Sequence, residues 1–168
     1  MRKVIVIGCP GSGKSTFSLE LARITGLPIC HLDNLYLNAD KTTVEEVFLD
    51  RLSAVLAWET WIIDGNYMST MELRMQACDT VFFLDYPLEV CLKGIAARKG
   101  KTRPDMPWVE AENEDDEEFL SFIRNYHCQC RPDVLALLHT YSWKNVIVFT
   151  ERSQADAYLQ QLKSEKIL

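Results

Sequence analysis

The chain has 168 residues and 19.3 kDa, with 48% hydrophobic residues, 25% charged residues and a formal charge of −6. That is one ordinary domain's worth of sequence, and it excludes disordered, collagen-like and membrane-spanning classes, since no run approaches the roughly 20 apolar residues that cross a bilayer. The acidity is local, with eight acidic residues between Pro104 and Glu118, and no long basic stripe marks a nucleic-acid face.

In chain order, Val4-Ile5-Val6-Ile7 reads as a first strand. The opening Met1-Arg2-Lys3 and this brief apolar run are too short for a signal-peptide core, which predicts a cytoplasmic protein. Lys14 to Ile24 follows as a helix ended by Gly26, and Pro28 to His31 as a short strand. Thr43 with Glu46 three residues on has the form of a capping box, and Val44, Val47, Phe48, Leu52, Val55 and Leu56 continue at helical spacing. Trp61-Ile62-Ile63 ending at Asp64-Gly65 is a third strand and turn, and Val81 to Asp85 a fourth, stopped by Pro87. Leu88 to Ala97 is helical. From Gly100 to about Asp115 periodicity breaks, directly after four cations in the six residues Arg98 to Arg103. This juxtaposition suggests a charged flap. Phe119 to Tyr126 resumes helix, Pro132 starts another, Val146 to Phe149 is a fifth strand, and Ser153 with Asp156 caps a final amphipathic helix. Continuous apolar strands alternating with helices predict an α/β protein whose parallel sheet is covered on both faces. The six cysteines are scattered and most lie in apolar segments, so buried or free thiols are expected.

The chemistry concentrates at Gly8-Cys9-Pro10-Gly11-Ser12-Gly13-Lys14-Ser15, which fits G-x-x-x-x-G-K-[ST] and lies between the first strand and its helix. Glycines let backbone N–H groups turn inward around phosphate oxygens, and the helix N-terminus adds partial positive charge. Gly8, Gly11, Ser12, Gly13, Lys14, Ser15 and Thr16 are therefore candidate nucleotide contacts. Lys14 is expected to reach the β- and γ-phosphates and the Ser15 hydroxyl to bind Mg²⁺. A carboxylate closing a neighbouring strand completes such a metal site, and Asp33, Asp64 and Asp85 each close one. Asp64 is the choice for the metal, acting from its outer shell, and Asp33 for contact with an acceptor, with Asp64 also a candidate on the substrate side.

With Thr16 added, this loop resembles the G-x-P-G-x-G-K form found in adenylate kinases and related small kinases. His31-Leu32-Asp33, Trp61 to Tyr67, Arg74 with Cys78-Asp79, and Leu84-Asp85-Tyr86-Pro87 resemble the adenylate-kinase-like subgroup labelled DNA topology modulation (FlaR-like) proteins. The likeness runs from Lys3 to about Arg98, with weaker echoes at Arg131-Pro132 and in the fifth strand. It implies a three-layer P-loop NTPase fold, with a five-stranded parallel sheet in the order 2-3-1-4-5, helices on both faces and a small lid at about 99–118, the whole chain 1–168 forming one kinase domain. It also implies lid arginines that close over the triphosphate, with Arg98, Arg103, Arg124 and Arg131 as candidates. The sequence departs from adenylate kinases after Asp64-Gly65, where Asn66, Tyr67 and Met68 replace a Pro-Arg whose arginine holds the acceptor phosphate. Arg74 is the candidate to take over that role, and Tyr67 to line the same pocket.

These features imply a Mg²⁺- and ATP-dependent kinase of a nucleotide or other small acceptor, with no direct nucleic-acid or membrane partner. The alternative from the sequence is an ATP-binding switch or regulatory ATPase acting through a partner.

Overall fold

The computed structural model describes residues 1–37, 45–101 and 117–165. Five strands, β1 (Lys3–Gly8), β2 (Ile29–His31), β3 (Trp61–Asp64), β4 (Thr80–Leu84) and β5 (Asn145–Phe149), form one parallel sheet in the order β2-β3-β1-β4-β5. The connections are α1 (Lys14–Thr25), α2 (Leu32–Tyr36), α3 (Glu45–Leu56), α4 (Met71–Ala77), α5 (Leu88–Arg98), α6 (Glu117–Gln129), α7 (Arg131–Thr140) and α8 (Arg152–Glu165).

Successive side chains of a strand point to opposite faces, so a strand buried on both sides must be apolar at every position. The interiors of β1, β3 and β4 obey this rule, with Asp64 and Thr80 as polar strand ends and β5 partly exposed at the edge, and the sheet divides the core in two. Ile5, Ile7, Trp61, Ile63, Val81 and Phe83 face one layer, built with Leu32 of α2, Phe48 and Leu52 of α3, Met71 and Met75 of α4, and Val134 of α7. Val4, Val6, Ile62, Phe82 and Leu84 face the other, with Phe17 and Leu21 of α1, Cys91 and Ile95 of α5, Ile123 and Tyr126 of α6, and Leu159 of α8. The three-layer α/β architecture and the strand order are those implied by the sequence resemblance.

Two helices escape the sequence reading. Residues Leu32–Tyr36 are helical where a loop was expected, and Met71–Ala77 forms a helix after a 3₁₀ turn at Met68–Thr70. The cap of α8 is also shifted. Gln154, not Asp156, reaches back, its Oε1 accepting from the N–H groups of Thr150 (2.8 Å) and Glu151 (3.3 Å), while the Ser153 hydroxyl donates to Glu151. Thr43 of the expected capping box, and most of the lid-like segment with Arg103, lie outside the described residues.

Among the described residues no helix is long and apolar enough to cross a membrane.

Candidate functional site

A parallel sheet sends every strand's C-terminal end to one edge, and ligands of open α/β sheets bind there. The register puts Asp64 of β3 opposite both Val6 of β1 and His31 of β2, so Asp64 and His31 end their strands side by side, two residues short of the point where the loop leaves β1 at Gly8. A cleft of about 1890 Å³ opens at this edge, lined by the phosphate loop from Pro10 to Thr16 and by Asp33, Asp64, Asn66 and Tyr67. Pockets for small ligands usually measure roughly 300–1,000 Å³, so this one has room for a nucleotide and a second substrate together.

The loop is shaped by what presses on it. Gly11 adopts φ +81° and lies against the backbone of α5, where a Cβ would overlap the Cys91 carbonyl. The approach is reciprocal, because a Cβ on Gly94 of α5 would overlap the carbonyl of Gly11. Two glycines thus let loop and helix meet backbone to backbone. Gly13 then takes φ +94° at the N-cap of α1, whose first-turn N–H groups have no intrahelical acceptor. Ser12 is buried with an unpartnered hydroxyl, Ser15 is half-buried and Thr16 exposed, all lining the cleft.

Lys14 folds back across this loop and donates from Nζ to the carbonyls of Gly8 (2.8 Å) and Cys9 (3.2 Å). Burial lowers its pKa from the ordinary lysine value, while the carboxylates of Asp64 and then Asp33 pull in the opposite direction. The ammonium is therefore placed inside a field made by both candidate carboxylates.

Asp64 and Asp33 have different surroundings. Asp64 is 4% exposed; its Oδ1 accepts from His31 Nδ1 at 2.7 Å, and its Oδ2 is buried without a partner. Asp33, on the first turn of α2, accepts at Oδ1 from the Tyr67 hydroxyl at 2.8 Å. Tyr67 in turn packs on the rings of Tyr36 and Phe48, with centroids 5.2 and 5.3 Å away. Burial and the Asp33 carboxylate both push the Tyr67 phenol upward, so it remains a hydrogen-bond donor at neutral pH.

Several arginines occupy positions that differ from expectation. Arg74 is fully buried and does not line the cleft; its guanidinium donates to the carbonyls of Gly65 (3.0 Å), Asn66 and Tyr67 (3.0 Å). It braces the turn after β3 from below, which corrects the expectation that it holds an acceptor phosphate. Arg131 forms a two-point ion pair with Asp85, Nε to Oδ1 and Nη2 to Oδ2, both at 2.8 Å. Arg124 is on the outer face of α6, paired with Glu117 at 2.6 Å. Neither Arg124 nor Arg131 lines the cleft, whereas Arg98 does, with its Cζ 5.6 Å from the Phe119 ring centroid.

Two residues that the sequence reading did not count among the site candidates line the cleft. Asn66 makes a two-way bond with Gly8, Oδ1 accepting from its N–H (3.1 Å) and Nδ2 donating to its carbonyl (2.7 Å), so the β3 turn clasps the start of the loop. Arg152, the first residue of α8, donates from Nη2 to the Gly11 carbonyl at 2.9 Å and lies over the Tyr86 ring at 5.7 Å. Asn66 follows the strand-end aspartate and was within reach of sequence reasoning. Arg152 is 141 residues from its partner and carries no local signal.

No protein-family profile and no curated protein matches the sequence. Solved structures do match. A shikimate kinase from Bacteroides thetaiotaomicron is 20% identical with a TM-score of 0.54, over 98% of this chain and 98% of that one. A shikimate kinase from Acinetobacter baumannii in complex with shikimate is 17% identical with a TM-score of 0.61, over 100% of this chain and 96% of that one. An unliganded sugar kinase from Janibacter sp. HTCC2649 is 19% identical with a TM-score of 0.51, over 99% of this chain and 92% of that one. At these identities the likeness establishes the fold, the five-stranded parallel sheet with two helical layers found in P-loop kinases. Within that fold, the cleft of this chain holds His31 on Asp64, Tyr67 on Asp33, and Arg152 on the loop.

Proposed function

We propose that this chain is a Mg²⁺- and ATP-dependent kinase that phosphorylates a hydroxyl of a small acceptor. The observation that carries this reading is the convergence, in one cleft, of the phosphate loop with Lys14 and of two strand-end carboxylates in unlike environments. The triphosphate lies along the loop, held by the N-terminal N–H groups of α1 and by Lys14, which leaves its carbonyl partners for the phosphates. Asp64, with one buried oxygen unpartnered, and the Ser15 hydroxyl form an all-oxygen donor set that fits Mg²⁺. When bound, that ion neutralises phosphate charge.

Asp33 stands where the acceptor enters, its carboxylate oriented by Tyr67. The acceptor oxygen bonds to the γ-phosphorus, its proton passes to Asp33, and the bond from the γ-phosphorus to the bridging oxygen breaks to release ADP. Arg98, on the cleft wall, is the described member of the expected lid arginines positioned to face the transferring group. The likeness of the fold, over nearly the whole chain, to shikimate kinases and a sugar kinase supports phosphoryl transfer but leaves the acceptor to side chains, where substrate choice resides.

The test is ADP release from Mg-ATP across nucleosides, nucleoside monophosphates, sugars and other hydroxylated metabolites, with Lys14→Ala as the blank. Acceptor-dependent release is expected, falling at least about 100-fold in Lys14→Ala, as when a transition-state donor is removed. ATP binding with a flat response to every acceptor would favour a partner-driven ATPase switch instead.

A further inference from the structure

We infer that His31 is the positioning residue for Asp64, fixing which carboxylate oxygen is presented to the metal; this rests on the kinase reading above. The two residues are register partners at the ends of adjacent parallel strands, β2 and β3. Their side chains close the gap between those strands with a 2.7 Å contact from Nδ1 to Oδ1. Both are shielded, at 11% and 5% side-chain exposure. A carboxylate accepts only, so Nδ1 carries the proton in this bond.

The consequence is an asymmetric carboxylate. Oδ1 is satisfied by the imidazole, and Oδ2 is buried with no partner, an arrangement that costs free energy unless a ligand completes it. Asp64 lines the cleft beside the phosphate loop, and its charge acts on Lys14. Asp64 thus brings a buried, unpartnered oxygen to the wall of the cleft that the phosphate loop also lines. Magnesium tolerates little departure from octahedral geometry, so a carboxylate free to rotate would hold it poorly. Tying Oδ1 to a ring that is itself anchored at the end of β2 removes that rotation. His31 touches neither nucleotide nor metal in this scheme and acts through Asp64, as imidazole and carboxylate partners do around other metal ligands.

The experiment compares His31→Asn with His31→Gln. The Asn amide can set its N–H₂ near the position of Nδ1, whereas the longer Gln carries it past. The measured quantity is the affinity of Mn²⁺, read by its spin-resonance signal, for the protein saturated with a non-hydrolysable ATP analogue; binding of the analogue without metal serves as the control for fold. We expect His31→Gln to weaken Mn²⁺ binding by about 10–100-fold, with His31→Asn close to the parent and metal-free analogue binding within about twofold for both. Equal Mn²⁺ affinity in the Gln variant and the parent overturns the proposal. So does an equal loss of metal-free analogue binding, which would mark a general structural role. Asp64→Asn separates the two layers of the argument. If the parent shows Mn²⁺ binding that Asp64→Asn loses and His31→Gln keeps, the positioning role alone fails; if Asp64→Asn matches the parent, the metal assignment fails with it.

Discussion

Fully buried arginines are rare, and Arg74 is tolerated because three inward-turned carbonyls, those of Gly65, Asn66 and Tyr67, surround its guanidinium. Burial still disfavours its charged form, bringing its pKa down to about 10. Removing it would take a buried donor from the carbonyls of Gly65 and Asn66, while that of Tyr67 keeps the Thr70 N–H and hydroxyl. Arg74→Met is therefore expected to destabilise the fold by about 3 kcal/mol or more, measured by urea unfolding. An acceptor-binding role would instead give a normal fold and a raised acceptor KM. The misreading of Arg74 has a physical source, since a sequence shows an arginine near a strand-end turn but not which way that turn's carbonyls point. Lys14 and the loop glycines were legible for the opposite reason. Their spacing is dictated by backbone geometry around a phosphate, and that geometry is local.

At the scale of elements, the legible pieces are those long enough to show a period or a continuous apolar run. All five strands and the helices α1, α3, α5, α6 and α8 carry such a signal, while α7 was marked only by Pro132 at its start. Helices α2 and α4, of five and seven residues, do not. What joins elements is less visible still, and Asp79 is an example. Standing just before β4, its Oδ2 accepts from the N–H groups of Arg2 (2.8 Å) and Lys3 (2.9 Å), tying the start of β4 to the start of β1. Burial works to raise its pKa, but the Thr80 hydroxyl and the two N–H groups outweigh this and hold it below the ordinary carboxylate value. A depressed folded-state pKa stabilises the protein above the unfolded value, and that contribution disappears as pH falls through the folded one. Asp79→Asn is accordingly expected to lower Tm by about 2 °C at pH 7. The gap between variant and parent should close as pH falls below the ordinary aspartate range, where the parent carboxylate protonates.

For the whole molecule, the alternation of strands and helices made the α/β class legible, whereas the strand order came only from the family resemblance carried by the phosphate loop and the strand-end segments. The identity of the acceptor was not legible, because Asp33, Tyr67 and their aromatic neighbours come from separate elements that only the folded sheet edge unites. The contact of Gly11 with Gly94 extends this point to the protein's mutational freedom. Every other amino acid starts with the same first carbon, so the smallest possible change at either position collides with main chain, which no neighbouring side chain can shrink to relieve. In a saturation library selected for activity, positions 11 and 94 should return glycine alone. Gly26 offers the control, since its φ of +76° meets nothing within 4 Å of an added Cβ, and asparagine should survive there. Two glycines 83 positions apart in the chain thus form one inherited unit, able to change only by being replaced together with the backbone path that brings them into contact.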